Sequence, residues 1–199
     1  FASELHALGR GPLEPEAIDA YLSLGYVPSP LTISRGVAKL PPAHWLRFDR
    51  ERVTVERYWT PPVEGCKRVG IEQVLSAAVK QRLMSDVPLG AFLSGGIDSS
   101  IIVGLMSRHS RVKTYSIGFD DPEFDELDFA RAAAKHFKTD HHEFVVKADA
   151  AEVLPELLRH FGEPFGDPSV VPTYYVARET AKHVKVALSG DGGDECFGG

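Results

Sequence analysis

The chain has 199 residues and a formal net charge of −6 at pH 7, with 43% hydrophobic and 25% charged residues. These proportions are typical of a globular protein, and the acidic balance argues against a general binder of nucleic acid or of anionic membranes. Because no apolar run approaches the ~20 residues of a membrane-spanning helix and no signal-peptide pattern opens the chain, we expect a cytoplasmic location without a nucleic-acid or membrane partner.

The first third of the chain predicts one helix and a β-hairpin. Pro15 precedes a short apolar-periodic stretch that would form a helix, and Gly25 would end it. Residues 45–48 and 53–59 alternate between apolar and polar side chains on either side of a short polar turn, which is typical of a hairpin. This part of the chain therefore resembles a piece of a mainly β domain.

A domain boundary is expected at Pro61-Pro62, where the pattern breaks and the composition changes. It divides the chain into residues 1–62 and residues 63–199. The chain also starts at Phe1 and stops at Gly199 without a closing element, so we expect it to be the middle section of a longer protein.

Helices and strands alternate along the rest of the chain. The pattern predicts helices at 71–86, 101–106, 125–137, 150–161 and 174–183, and strands at 89–93, 112–119, 141–146 and 184–188. Such alternation indicates an α/β fold with a parallel sheet and helices on both faces. Right-handed crossovers would place the loops after Leu93 and Leu188 at the same carboxyl edge of the sheet, where ligands bind in such folds.

The loop after Leu93, Ser-Gly-Gly-Ile-Asp-Ser-Ser over residues 94–100, predicts an anion cradle. Its glycines let backbone N–H groups converge on an oxyanion, and the following helix adds positive charge from its N-terminus. Asp98 would repel a naked phosphate, so a cation between the two is indicated. The loop lacks the Walker A ending and the Gly-x-Gly-x-x-Gly pattern, and it resembles the pyrophosphate loop of the ATP pyrophosphatases. An ordinary strand-to-helix turn of small residues is the alternative.

A second glycine-rich loop, residues 189–199, follows the last predicted strand. It carries Asp191, Asp194 and Glu195 among closely spaced glycines. Acids this close repel one another unless a cation or an ammonium group is present. A solvated acidic turn or a calcium-type loop is the alternative, although the spacing does not match an EF-hand.

The cysteines and the paired histidines point to structural roles. Cys66 and Cys196 are far apart and lack metal-ligand spacing, so free thiols without a catalytic role are expected. His141 and His142 are neighbours on a predicted strand, which places them on opposite faces. We therefore expect neither a shared metal nor a direct role in chemistry for this pair.

Several motifs in order resemble the glutamine-hydrolysing asparagine synthetases and their close amidotransferase relatives. The similar segments are 26–30, 40–42, 57–59, 92–100, 115–119, 139–143 and 189–199. The resemblance implies the end of an N-terminal-nucleophile glutaminase domain, mainly β, followed by part of a pyrophosphate-loop synthetase domain with an adenine nucleotide α-hydrolase-like fold. It also implies that the glutaminase nucleophile and the closing half of the synthetase site lie outside this sequence.

The resemblance implies a ligase that uses ATP and Mg²⁺. In that family, glutamine supplies ammonia, and the synthetase domain adenylates a carboxylate, usually the side chain of aspartate. Ammonia then attacks the acyl-adenylate and yields the amide, AMP and pyrophosphate. The implied partners are small molecules, namely glutamine, ATP and aspartate or another carboxylate, and a homodimer is compatible with the resemblance.

Site roles carry over residue by residue. The resemblance implies that Leu93 and Ile117 contact the nucleotide and that Ser189 and Gly190 close the site on the AMP side. It implies that pyrophosphate is held by Ser94, Gly95, Gly96, Ser99 and Ser100. The carboxylates that bind Mg²⁺ would be Asp98 and Asp194, and Asp98 would also be a nucleotide-binding and catalytic residue. Asp191 would be the catalytic acid that faces the intermediate. Plain core packing is the alternative for Leu93 and Ile117, and packing at the helix start is the alternative for Ser100.

Two departures from the family leave the acceptor open. Asp191 stands where the best-known members have Glu, and the one-methylene difference could move the carboxylate by about an ångström. The loop 163–169 carries no arginine, a residue that some members place there for the α-carboxylate of the substrate. A relative acting on a sugar acid, a peptide carboxylate or a cyclising β-amino acid (β-lactam-type) precursor is one alternative. A degenerate nucleotide-binding module with a regulatory role is the other, and the intact Asp98 and Asp194 count against it.

Overall fold

The computed structural model describes residues 1–9, 11–62, 70–120, 127–147 and 149–197. In chain order, the helices are α1 (Pro15–Leu24), α2 (Ile71–Arg82), α3 (Ile97–Ser107), α4 (Leu127–Phe137), α5 (Ala150–Phe161), α6 (Val170–Thr180) and α7 (Gly193–Phe197). The strands are β1 (His44–Asp49), β2 (Arg52–Arg57), β3 (Leu89–Phe92), β4 (Lys113–Phe119), β5 (Asp140–Val146) and β6 (Val186–Leu188). No helix within the described ranges is both long enough and apolar enough to cross a bilayer.

The chain forms two compact units. One comprises Phe1–Lys67 with Ala150–Pro168, and the other comprises Arg68–Asp149 with Ser169–Gly199. The stretch 150–168, which the sequence pattern places among the alternating helices and strands, thus packs with the first unit. The division at residue 62 remains a prediction, and Cys66 lies outside the described residues. Cys196 is a free, exposed thiol.

Helix α1 and the hairpin of the first unit match the local sequence signals. Pro15 occupies the first turn of α1, and Gly25 ends it in the left-handed conformation, with its N–H donating to the Tyr21 carbonyl at 2.8 Å. Strands β1 and β2 pair antiparallel from His44 opposite Arg57 to Asp49 opposite Arg52. The predicted helix and hairpin are confirmed, with β2 ending at Arg57 instead of residue 59.

A four-stranded parallel sheet organises the second unit. Its strand order is β5-β4-β3-β6, which makes β3 and β6 direct neighbours although almost a hundred residues separate them. Helix α4 lies over one face, where Arg131 bonds to Glu143 of β5. On the other face, the ring of His183, just after α6, lies 5.8 Å from that of Tyr115. The predicted parallel sheet with cover on both faces is therefore confirmed.

The hydrophobic core of the second unit forms where α2, α3 and α4 pack on β3. Its buried members are Val79, Ala91, Leu93, Val103, Leu105, Met106, Val112, Ala130 and Ala134. Each large aliphatic side chain buried in this way stabilises the fold by about 1.5–3 kcal/mol. The core therefore fixes the end of β3 and the start of α3, the segment that carries the first glycine loop.

Several predicted helix bounds in the second unit are wrong. Helix α3 begins at Ile97, four residues early, because Ser99 and Ser100 continue the helix although serine usually favours helix caps. Helix α2 ends at Arg82 instead of near Asp86. Helix α6 spans Val170–Thr180 instead of 174–183, and α7 forms within the segment predicted as a loop. Small and polar residues obscured these ends because their side chains suit both caps and turns.

Candidate functional site

The two glycine loops meet at the carboxyl edge of the sheet. Parallel pairing of Ala91 with Leu188 brings the ends of β3 and β6 side by side. A Cβ added at Gly190 would lie 2.7 Å from the Ser99 nitrogen, and one at Gly193 would lie 2.5 Å from the Asp98 Cγ. The second loop thus packs directly on the first turn of α3, as closely as glycine allows. The predicted shared edge is confirmed.

The first loop is closed on its other side by α4. Gly95 has φ +87°, and a Cβ there would lie 2.4 Å from the carbonyl carbon of Phe129 in the first turn of α4. Gly96 is extended and precedes the first residue of α3. Because only glycine fits the conformation and the space at residue 95, the loop backbone is held between two helices.

Two serines brace the first loop from within. The Ser94 and Ser99 hydroxyl oxygens lie 3.0 Å apart, and Ser99 also donates to the Gly96 carbonyl at 3.2 Å. The Gly96 N–H donates to the Ser94 hydroxyl at 3.3 Å. Ser99 is buried, whereas Ser94 is exposed and Ser100, in the first turn of α3, is partly buried. Ser94 is therefore the more accessible hydroxyl for a ligand, while Ser99 shapes the loop.

The start of α3 suits an anion. The first N–H groups of a helix have no partner within it, and the helix dipole places partial positive charge there. The phosphate cradle that the sequence predicts is therefore compatible with this backbone. Asp98 lies in this first turn and is partly buried against Gly193.

Leu93 and Ile117 differ in how they approach the loop. The side chain of Leu93 is 1% exposed and belongs to the core. Its N–H donates to the Tyr115 carbonyl at 2.9 Å, and its carbonyl accepts a bond from the buried Ser116 hydroxyl. Core packing therefore holds for Leu93. Ile117, on β4, is partly buried, and nucleotide contacts for either residue remain a prediction.

The second loop holds its acids in an exposed turn. The Ser189 hydroxyl donates to the Asp191 Oδ2 at 2.9 Å, and the Asp191 N–H donates to the Ser189 oxygen at 3.4 Å. Gly192 follows with φ +90°. Asp191 and Asp194 are exposed. This turn directs the Asp191 carboxylate toward its own loop, so the serine sets its resting position.

The carboxylates of Asp98 and Asp194 are the groups at the junction that could hold a Mg²⁺ ion arriving with phosphate. Asp98 packs against Gly193, the residue directly before Asp194, and carboxylate oxygens are ligands that Mg²⁺ prefers. Within the described ranges, no group of three or more His, Cys, Asp or Glu is arranged to hold a metal ion. Two carboxylates would therefore leave most of the octahedral shell to phosphate oxygens and water, which is how proteins usually bind Mg²⁺.

The paired histidines face away from each other, as the sequence predicts. His141 Nδ1 lies 2.9 Å from the Thr114 hydroxyl on the α4 side of the sheet. On the other side, the His142 ring stacks on Tyr115 at 5.3 Å. Burial lowers the pKa of His141, which favours its neutral form. The contacts of both rings are therefore those of residues with a structural role.

Three supporting residues escape sequence reasoning. Gly193 allows the Asp98 contact, and Ser116 anchors the Leu93 carbonyl. At Gly90, a Cβ would lie 2.6 Å from the Tyr115 ring, so the glycine lets β3 pack against it. The isolated glycine inside the predicted strand was the available signal, since such a residue often marks a close approach.

Comparison with known proteins agrees with this geometry. Residues 70–199 match the family described as asparagine synthase, and residues 1–59 match the glutamine amidotransferase domain. A Methanocaldococcus jannaschii protein named putative asparagine synthetase [glutamine-hydrolyzing] 2 is 40% identical over 199 residues, covering 94% of this chain and 38% of that protein. Asparagine synthetase [glutamine-hydrolyzing] 1 of Bacillus subtilis is 38% identical over 197 residues, covering 94% of this chain and 31% of that protein. The chain thus spans roughly a third of the length of these relatives, and it belongs to the asparagine synthase family.

Proposed function

We propose that the protein containing this chain is a glutamine-dependent asparagine synthetase. The side-chain carboxylate of aspartate attacks the α-phosphorus of ATP and releases pyrophosphate. Ammonia from glutamine then attacks the acyl carbon and displaces AMP, which leaves asparagine. The observation that carries the proposal is the packing of Gly190 and Gly193 on Asp98, which joins an anion-binding loop to an acidic loop in one site.

The first loop would bind the phosphates. The free N–H groups at the start of α3 and the exposed Ser94 hydroxyl would hold the pyrophosphate, while Gly95 and Gly96 keep the backbone close to it. Donors fixed before the reaction stabilise the charge that develops on the leaving group. Asp98 and Asp194 would hold Mg²⁺, which supplies positive charge to the departing pyrophosphate.

The second loop would face the acceptor and the AMP. Ser189 and Gly190 follow β6, and Gly190 lies beside the start of α3, next to the phosphates in this proposal. Asp191 would face the acyl-adenylate. In the resting site its carboxylate accepts a hydrogen bond from the Ser189 hydroxyl at 2.9 Å.

The comparisons support the nitrogen source and the acceptor. The match of residues 1–59 to a glutamine amidotransferase domain supports glutamine, and the names of the relatives support asparagine as the product. Asp191 and the loop 163–169 without arginine are the features that would mark a relative with another acceptor.

The test is a product assay on the full-length protein with glutamine, ATP and Mg²⁺. Aspartate, sugar acids, peptide carboxylates and β-amino acids are offered separately, and amide, AMP and pyrophosphate are quantified. Equal amounts of asparagine, AMP and pyrophosphate from aspartate are expected. Turnover on another acid alone would replace aspartate as the acceptor, and tight ATP binding without any turnover would favour the regulatory module.

A further inference from the structure

A basic pocket lies at the edge of the sheet opposite the glycine loops. It has a volume of about 460 Å³ and is formed at the end of α4 and the starts of β4 and β5. Its polar lining is Arg111, Arg131, Lys135, Lys138, Thr139 and His141. The four residues of β3 separate these two edges by roughly 13 Å, at about 3.3 Å per residue, and no residue of either glycine loop lines the pocket, so this pocket is distinct from the proposed adenylating site.

Four cations converge on this pocket in a chain whose net charge is −6. Arg131 is neutralised by Glu143 and Asp128, each at 2.8 Å. Arg111, Lys135 and Lys138 make no ion pair with any described residue. Like charges gathered in a concave site repel one another and attract an anion.

Helix capping explains only part of this charge. Lys135 lies in the last turn of α4, where a cation interacts favourably with the helix dipole. Arg111 and Lys138 lie outside the helix. Lys138 also has φ +54°, a left-handed position that usually carries glycine and that a lysine adopts only with strain. The chain thus keeps a long cation where a smaller residue would fit the backbone better.

The side of the pocket formed by β5 carries a largely buried histidine. His141 has a side chain only 12% exposed, and its Nδ1 lies 2.9 Å from the Thr114 hydroxyl, itself 2.8 Å from the Thr139 hydroxyl. Its Nε2 is buried and makes no hydrogen bond to a described residue, with the Glu143 Oε1 3.5 Å away. The Glu143 carboxylate thus faces this ring, and the unpaired positive charge of the pocket comes from Arg111, Lys135 and Lys138.

We propose that the basic pocket binds a small polyanion that carries a phosphate group. Lysine ammonium groups act as point charges toward phosphate oxygens, and Arg111 adds a planar donor group. The volume is typical of a small-molecule site. The ligand is inorganic phosphate or the phosphate of a nucleotide, and the two share the same recognition chemistry.

The experiment is calorimetric titration of the full-length protein with inorganic phosphate, and separately with AMP, at 0.15 M ionic strength. The double variant Lys135→Gln/Lys138→Asn removes two charges, and asparagine tolerates the left-handed position at 138. Phosphate affinity is expected to fall roughly tenfold or more, because each charged hydrogen bond contributes about that factor. Lys182→Gln is the matched control, since that exposed lysine pairs with Glu179 on α6. The phosphate affinity of this variant should stay within about twofold of the parent value.

Several further outcomes decide the assignment. Unchanged phosphate binding in the double variant, or an equal loss in Lys182→Gln, would overturn it, because the binding would then lie elsewhere or be diffuse. Binding of an acidic peptide without phosphate binding would overturn the small-molecule class. Persistence of phosphate binding in Asp98→Asn is expected, since Asp98 lies at the other edge of the sheet. Tighter binding of AMP than of phosphate that is lost in the double variant would identify the nucleotide as the source, whereas AMP binding that the double variant retains belongs to the proposed adenylating site.

Discussion

Replacing Gly190 with alanine tests the contact on which the proposed site depends. The added Cβ would lie 2.7 Å from the Ser99 nitrogen and 2.9 Å from the Asp98 carbonyl carbon, far inside van der Waals contact. Both atoms belong to the backbone of α3, so the two loops must separate. Overpacking of this kind costs roughly 1–3 kcal/mol, and a displacement of about 1 Å at a reacting centre lowers the rate by up to about a hundredfold.

The assay for Gly190→Ala is kcat/KM for pyrophosphate release by the full-length protein, with a thermal shift to follow folding. A loss of roughly 10- to 100-fold in kcat/KM is expected in a protein that remains folded. Gly70→Ala is the control, because a Cβ there meets nothing within 4 Å and the residue has φ −60°. Activity of Gly190→Ala within twofold of the parent would refute the claim that the two loops act as one site.

Three stability predictions concern other parts of the chain. Ser116→Ala removes the buried bond to the Leu93 carbonyl and should lower the free energy of unfolding by about 1–3 kcal/mol in urea titrations. Lys39→Met removes the ammonium partner of the Glu163 carboxylate, whose Oε2 already has no hydrogen-bond partner among the described residues. The free energy of unfolding should fall by about 1–3 kcal/mol in the same assay, and an unchanged value would contradict the pairing. Burial holds the pKa of His141 below its ordinary value of 6.5, so the unfolded chain binds the proton more readily than the folded chain. The free energy of unfolding should therefore fall as the pH drops below about 6.5. His141→Gln should flatten this pH dependence in urea midpoints measured between pH 7.5 and 5.5.

The sequence predicts local features well where one pattern dominates. The apolar run before Ser94 predicts β3, and the glycine at residue 25 predicts the end of α1, because each depends on short-range backbone preferences. The two glycine loops are also visible as motifs. Their position at one edge follows from parallel strands, which the alternation of helices and strands already indicates.

The contacts that build the site are not visible in the sequence. The packing of Gly193 on Asp98 requires β6 to pair with β3, and several strand orders satisfy the same pattern. The bond between Ser94 and Ser99 depends on the helix starting at Ile97. Packing of residues 150–168 with the first unit likewise depends on tertiary contacts, which local periodicity does not encode.

The most direct test of the central claim is Mg²⁺-dependent pyrophosphate release by Asp98→Asn in the full-length protein. The asparagine keeps the size of the side chain packed against Gly193 but removes its charge. The exposed Asp86, in the loop before β3, provides the control Asp86→Asn. We expect Asp98→Asn to stay folded and to lose pyrophosphate release, while Asp86→Asn retains it. Release by Asp98→Asn at the parental rate and with the parental Mg²⁺ dependence would rule out Asp98 as a magnesium ligand.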